Sequence, residues 1–235
     1  MGTRAFIVAV AVLLAVALPA TAGMLVTISV SSGGTTVIQD FEIACNNGVA
    51  DWTLAAPITM MAGNTTLGRI TELSLQTDYE PYVNLKWAVE AGATDTTFDF
   101  STAVVSFSPL TNPQAYASAG VTLTGDSDGA TITGLFDGGN IYQARYNGGT
   151  VYANLVGGFS VGADDSQTHR DRLPASGYAT ISGSVYSIES QTKFTLSALD
   201  QASATSRFEV IPEPATLFAL FGVALPMLLK RRAKA

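Results

Sequence analysis

Cysteine and histidine are almost absent from this chain of 235 residues, which contains one of each. The single cysteine, Cys45, cannot form a disulfide within the chain, so burial and sheet hydrogen bonding must stabilise the fold. We expect Cys45 to be a buried, inert thiol, with a link between two chains as the alternative. A zinc site needs several His or Cys ligands, and a serine triad needs a histidine beside its nucleophile. Because His169 lies in a polar stretch without such partners, the sequence favours neither site.

Cations are also scarce in the central part of the chain. Residues 23–210 contain seven Lys and Arg against eighteen Asp and Glu, a net charge of −11. Nucleic-acid binding requires a basic face, and anionic lipid headgroups repel an acidic domain. The composition therefore argues against nucleic acid as a partner and is typical of a soluble, acidic domain.

Helical periodicity is the third feature that the central part lacks. Short alternating runs of Thr, Val, Ile, Tyr and Phe, separated by Gly, Asn and Asp, are typical of β-strands. About a dozen such runs predict one all-β domain, a jelly-roll-like antiparallel sandwich of two sheets. Residues 113–120 are the best candidate for a short helical turn, and the polar residues 162–177 are expected to form an exposed loop.

Two stretches predict particular hairpins. Residues 130–158 contain three strand-like runs separated by turns at 137–140 and 147–149, where Gly and Asn tolerate the positive φ of tight turns. They predict a three-stranded meander. Further along, residues 189–191 are expected to form the turn of another hairpin.

Three tyrosines in the meander are candidate ligand-binding residues. Tyr142 and Tyr146 alternate on one strand, and Tyr152 lies on the next. If their face is exposed, stacked tyrosines could bind a carbohydrate, since aromatic rings pack against the apolar faces of sugars. The alternative is that they line the sandwich interior. Trp52 and Trp87, each in an apolar run, are expected in the core.

Two acidic residues provide a weak candidate metal site. Asp126 and Asp128 stand two positions apart, as at the start of a calcium loop, but the residues after them depart from that pattern. An ordinary turn is the alternative, so we expect no cofactor, with calcium as the exception. Paired acidic side chains could also make the chain an acid–base hydrolase, which only geometry can decide. Without a catalytic motif, the sequence favours a protein that is not an enzyme.

The N-terminal 22 residues have the pattern of a secretory signal peptide. Arg4 precedes an apolar run at residues 6–18, and the small residues Ala20 to Ala22 follow Pro19. Thirteen apolar residues are too few to span a membrane, which takes about 20. We therefore expect export and cleavage after Ala22.

The C-terminal residues 211–235 combine three features in a fixed order. A stiff, extended Pro212-Glu213-Pro214 segment precedes fifteen uncharged residues, 215–229. As a transmembrane helix these would measure about 22 Å, which is short for a stable span. A cluster of cations that would stay on the cytoplasmic side ends the chain: Lys230, Arg231, Arg232 and Lys234.

This tail resembles the PEP-CTERM sorting signal of Gram-negative bacteria. The resemblance implies processing by a membrane protease, an exosortase, in an organism that makes exopolysaccharide. It covers only the tail, so it implies export through the secretion machinery, a transient membrane anchor, and a final location at the cell surface or in the matrix. We therefore expect a non-catalytic surface or exopolysaccharide-matrix protein, with a lectin-like carbohydrate-binding module as the alternative and a hydrolase as a more remote one.

Overall fold

The computed structural model describes residues 23–213, except 46–48, 79 and 103, and these residues contain seventeen β-strands. None of them belongs to a helix that could cross a membrane. The strands are, in chain order, β1 Gly23–Ser32, β2 Thr35–Ala44, β3 Ala50–Thr53, β4 Ile58–Ala62, β5 Thr65–Asp78, β6 Tyr82–Ala91, β7 Thr96–Ser101, β8 Val105–Thr111, β9 Gln114–Thr124, β10 Ala130–Gly134, β11 Asn140–Tyr146, β12 Thr150–Gly157, β13 Phe159–Val161, β14 Ser166–Leu173, β15 Ala179–Thr180, β16 Ser184–Leu196 and β17 Gln201–Ile211.

The strands form two antiparallel sheets packed face to face, so the predicted all-β, two-sheet sandwich is confirmed. The first sheet has the order β12-β11-β16-β7-β1-β2, with β8 and β10 also paired to β16 and β13 paired to β10. The second has the order β14-β9-β17-β6-β5-β3, with β4 paired to β5 and β15 to β9. Some neighbours are consecutive strands, such as β1 with β2 and β5 with β6, but others, such as β16 with β7 and β17 with β6, come from distant parts of the chain. The fold therefore depends on long-range pairing as well as on hairpins.

An aromatic cluster joins the sheets at the centre of the core. Trp87 of β6 is fully buried and stacks on two phenylalanines of the first sheet, with centroids 4.8 Å from Phe194 and 5.4 Å from Phe100. Phe98 stacks on Phe194 at 5.6 Å. The prediction that Trp87 is a core residue is confirmed, whereas Trp52 is half-buried and packs against Phe41.

Strand β9 replaces the predicted helical turn at residues 113–120. Its residues alternate between buried alanines on the inner face and more exposed polar residues on the outer face. It pairs with β14 on one side and β17 on the other. The helical prediction was wrong because small residues have weak strand preferences of their own, and here two neighbouring strands supply the hydrogen bonds. Residues 166–173, predicted as loop, form the exposed edge strand β14.

The predicted hairpins are only partly correct. The hairpin of β11 and β12 is present, with a turn at 147–149. Strand β10, expected to join them as a meander, pairs instead with β13 and β16. The turn predicted at 189–191 is wrong, because β16 runs straight through it. Glu189 there is buried beside Arg145 of β11, with Nε and Oε1 3.1 Å apart, so a tertiary contact satisfies its charge.

Cys45 is buried, as expected, at 7% exposure. The disulfide-free core must therefore carry the stability of the domain. We expect Trp87→Ala to lower the free energy of unfolding by about 3–5 kcal/mol, since it removes the side chain that bridges the sheets. Urea unfolding followed by circular dichroism measures this loss.

A matched control for that variant is Ile38→Ala on the outer face of β2, where the side chain is 62% exposed. It should change the free energy of unfolding by less than about 1 kcal/mol. An equal loss in both variants would contradict a central role for Trp87.

Candidate functional site

The outer face of the second sheet carries a row of side chains that crosses five strands. The strand register places Arg170 opposite Gly120, Gly120 opposite Thr205, Thr205 opposite Lys86, and Lys86 opposite Ser74. Adjacent strands lie about 4.8 Å apart, so the row is about 19 Å long. Residues from five separate parts of the sequence thus meet on one surface.

Small residues at the middle of this row leave a groove, which we call the outer-face groove. It consists of two connected hollows of about 530 and 360 Å³ that share Gly120, Arg170 and Thr205. A Cβ at Gly120 would lie 3.3 Å from Cγ of Arg170. Because Gly120 has no side chain, Arg170 can lie across β9. Ser118 lines the first hollow, and Thr122 and Ser203 line the second.

Most cations of the domain lie on this outer face. Of the seven Lys and Arg residues between 23 and 210, five are here, and three of these five form ion pairs along the sheet. The pairs are Arg69–Glu90 at 3.4 Å, Lys86–Glu72 at 2.6 Å and Arg207–Glu209 at 2.7 Å. The two others, Arg170 and Arg172, are on the edge strand β14.

Arg170 and Arg172 retain unused hydrogen-bond donors. Arg170 is exposed, and its guanidinium has no ion pair or hydrogen bond to any residue that the structure describes. The Arg172 guanidinium lies over the Tyr116 ring, 4.7 Å from its centroid, and its Nη2 donates to the Gly177 carbonyl at 2.8 Å. Its Nε is buried without an acceptor among the described residues. A guanidinium with free donors is the group that best recognises carboxylates and sulfate- or phosphate-like anions.

Beside the groove, a network of hydrogen bonds lies near the end of β17. Glu209 is 8% exposed and accepts hydrogen bonds from Arg207 Nε at 2.7 Å and from the Tyr178 hydroxyl at 3.0 Å. The Tyr178 ring meets Tyr116 edge-on at 5.1 Å. Burial raises the pKa of Tyr116 above its ordinary value. This network holds Tyr116 in place under Arg172.

The tyrosines predicted as an exposed sugar-binding platform do not form one. Tyr142 is 1% exposed and its hydroxyl lies 3.0 Å from Ser190 Oγ inside the sandwich. Tyr152 stacks on Phe208 of the opposite sheet at 5.2 Å, and Tyr146 packs against the core. Tyr142 therefore lies in the interior, as in the alternative, and Tyr146 and Tyr152 are partly buried against the core.

Asp126 and Asp128 lie in the turn between β9 and β10. The Asp128 backbone N–H donates to Asp126 Oδ1 at 3.1 Å, and the Asp126 backbone N–H donates to Asp200 Oδ1 at 3.2 Å. A side-chain hydrogen bond with Asp128 lowers the pKa of Asp126, and the same bond raises the pKa of Asp128. No group of three or more potential metal ligands occurs in the described part of the chain. These contacts are those of a turn closed by its own side chain.

The buried carboxylates of the domain all have fixed partners. Glu189 pairs with Arg145, Glu209 with Arg207, and Asp200 accepts a hydrogen bond from Ser197 Oγ. Pairing of this kind is how proteins accommodate buried charge. His169, on the edge strand β14, stacks on Phe159 with centroids 3.9 Å apart.

The predicted sorting residues are described only in part. Pro212 and Glu213 follow β17 directly, outside regular structure. The remaining predicted residues of the two ends lie outside the described residues: Ala20, Ala22, Pro214, Lys230, Arg231, Arg232 and Lys234.

The sequence analysis missed the outer-face groove, although one signal was present. Polar residues at alternate positions of 114–124 include Ser118, Gly120 and Thr122, which is the pattern of a strand with one wet face. Part of that stretch was predicted to be a helical turn, so this alternation was not recognised as a strand. The positions of Arg170, Thr205 and Lys86 beside them depend on strand order, which the sequence does not show.

No protein-family model matches the chain, and no curated protein matches it. Among solved structures, it is similar to the C-terminal CBM6 of LamC, a marine laminarinase from Zobellia galactanivorans. The two share 11% sequence identity with a TM-score of 0.22, over 65% of this chain and 98% of the other. At such a TM-score we transfer neither ligand nor binding residues to this chain.

The buried Tyr142 hydroxyl should make stability depend on alkaline pH. Burial raises the pKa of Tyr142, so the folded state keeps its proton at a pH where the unfolded state, with a pKa near 10, loses it. The stabilising contribution is complete below about pH 10 and is lost as pH rises towards the folded pKa. In Tyr142→Phe we therefore expect the fall in unfolding free energy above pH 10 to be shallower, by up to about 1.4 kcal/mol per pH unit.

Urea unfolding between pH 9 and 11 measures this slope. Tyr186→Phe is the matched control, since Tyr186 is 48% exposed, and its slope should equal that of the parent. Parallel curves for the parent and Tyr142→Phe would contradict the burial of a protonated hydroxyl at this position.

Proposed function

We propose that the chain is an exported, non-catalytic protein of the cell surface or exopolysaccharide matrix, delivered there by its PEP-CTERM-like tail. One observation carries the proposal. Strand β17 lies between β9 and β6 in the middle of the second sheet and ends at Ile211, and the Pro-Glu-Pro motif begins at the next residue. The sandwich therefore ends where the motif starts.

This junction suits a segment that a protease must reach. Pro212 has no backbone N–H, so it cannot continue the pairing of β17 with its neighbours. The last paired residue is Ile211, opposite Gln114 of β9. A processing enzyme could thus reach the motif without unfolding a strand. In this proposal an N-terminal signal peptide starts export, residues 215–229 hold the chain in the membrane, and an exosortase acts at the tail.

The described residues support a body without catalytic function. Each buried carboxylate is held by a fixed partner, as in Glu189 with Arg145 and Glu209 with Arg207. A hydrolytic pair would need two carboxyl groups facing each other across a substrate cleft. Five charged residues line the two hollows: the cations Arg170, Arg172 and Lys86, and the carboxylates Asp171 and Glu72. Of these carboxylates, Glu72 is paired with Lys86.

Carbohydrate binding is the second candidate function, and the outer-face groove favours it. The groove is long and shallow, with hydroxyls of Thr205, Ser118 and Ser203 along it and arginines at one end. Binding sites for polar ligands combine such convergent polar groups with a preformed hollow. This candidate replaces the tyrosine platform with a different surface of the same domain.

The sorting proposal predicts that the motif is needed for processing. The triple change of Pro212, Glu213 and Pro214 to Ala should leave the body folded but keep the chain at full length in the membrane fraction of a host with an exosortase. Immunoblots of membrane, surface and medium fractions measure this distribution. Glu80→Ala, in an exposed turn of the body, is the control and should be processed like the parent.

If the triple variant is processed and released as the parent is, the tail is not a sorting signal. Protease resistance of the body in both variants separates a sorting defect from a folding defect. Comparison with the same host lacking its exosortase shows whether the change in length depends on that enzyme.

A further inference from the structure

We propose that the outer-face groove binds an acidic polysaccharide, with an anionic sugar group held at Arg170 and Arg172 and sugar hydroxyls along Thr205 and Ser203. This inference deepens the second candidate function and rests on it, but it does not depend on the sorting tail. It names both the surface of the domain and the chemical class of the ligand.

The shape of the groove fits an extended chain. The row from Arg170 through Gly120, Thr205 and Lys86 to Ser74 crosses five strands, or about 19 Å. Its middle is low because residues there are small, so a linear polymer can lie across the strands without moving the backbone. A compact ligand would use only one of the two connected hollows.

The charge of the groove fits an anion at one end. Arg170 is exposed and free of ion pairs among the described residues, unlike Lys86, whose Nζ is 2.6 Å from Glu72 Oε1. Arg172 stands two residues further along the same strand, and it too has no carboxylate partner among the described residues. A carboxylate or sulfate could accept hydrogen bonds from these guanidinium groups in the bidentate geometry that arginine favours. A neutral sugar could not match their charge.

The acidity of the domain does not prevent such binding. The central part carries a net charge of −11, but two of the cations on this face, Arg170 and Arg172, have no ion pair among the described residues. At physiological ionic strength the Debye length is about 8 Å, so a ligand in the groove interacts mainly with the charges beside it. Distant acidic residues are screened. Of the two carboxylates that line the hollows, Glu72 is paired with Lys86, and Asp171 accepts a hydrogen bond from the Arg172 backbone N–H at 2.7 Å.

The test uses the full chain, purified in mild detergent, with polygalacturonate, a linear polymer of acidic sugars, as the probe. Dextran is the uncharged probe and dextran sulfate the sulfated one. We expect binding of both acidic polymers, little binding of dextran, and weaker binding as NaCl rises from 50 to 500 mM. Isothermal calorimetry or affinity electrophoresis measures the dissociation constants.

Two variants test whether the polymer binds in the outer-face groove. Arg170→Gln removes the free cation and should weaken polygalacturonate binding about tenfold or more, as expected for loss of a charge-assisted hydrogen bond. Gly120→Val fills the middle of the groove and displaces Arg170, and should weaken binding to a similar extent. Arg69→Gln is the matched control: it removes a cation from the same face but outside the groove, where Arg69 pairs with Glu90. It should bind like the parent.

The outcomes separate this proposal from the others. Equal binding of dextran and polygalacturonate, or equal loss in Arg69→Gln and Arg170→Gln, would overturn it. The proposal would also be overturned if no polymer binds and the chain instead self-associates in a way that Arg170→Gln abolishes. A second copy of the chain would then occupy the groove. Unfolding midpoints equal to the parent's show that a variant lost binding without losing its fold. Failure to bind either acidic polymer would also overturn the groove proposal. It would leave the sorting proposal intact, because sorting is measured by processing in the host.

Discussion

Trp87, stacked between phenylalanines of the opposite sheet, is the contact on which the rest of the structure depends. No disulfide can close this sandwich, since Cys45 is the only cysteine, so the two sheets are held by the apolar contact between their inner faces. Burying Trp87 fixes which face of β6 points inward. Because side chains alternate along a strand, it also fixes that Lys86 and Ala88 point outward. The same alternation restricts the register of the neighbouring strands, because a shift by one residue would turn their apolar side chains outward.

The outer-face groove is a consequence of that inner packing. Strand β9 places Ala115, Ala117 and Ala119 inside, where small residues make room for Tyr152 and Phe208, whose rings stack at 5.2 Å. The same strand is also small on its outer side, at Ser118 and Gly120. Because β9 has small side chains on both faces, aromatic rings can pack against its inner face while its outer face forms part of a hollow. One segment of sequence therefore serves stability and the candidate binding surface together.

The sequence predicted the fold class because the alternation of polar and apolar residues in runs such as β6 indicates a half-buried strand, whichever strands pair with it. It failed where a distant partner decides the structure. Glu189 was expected in a turn between two strand-like runs, but Arg145 of another strand lies beside it and β16 continues through this position. The sequence could not show whether the face that carries Tyr142 is the inner or the outer one. Residues 141–144 of β11 are buried on both faces, so this stretch lacks the alternation of polar and apolar residues that would mark an exposed face. Only the wet face of β9 could have been predicted; the groove as a whole could not, because its row joins five strands that are brought together only by the order of the sheet. The jelly-roll connectivity and the two terminal segments stay predictions.

The distribution of charge leaves two cations without an ion pair on one face of an otherwise acidic domain, among the residues that the structure describes. Outside the outer face, the central part of the chain has two cations, Arg145 and Lys193, and each pairs with an acidic residue. An acidic polymer is therefore repelled by most of the surface and finds an unpaired cation among the described residues only at the edge of the second sheet. Repulsion elsewhere increases the selectivity for that edge without any added contact, since specificity is a difference between binding free energies. The same acidity that argues against nucleic acid as a partner would then limit an acidic polysaccharide to one groove.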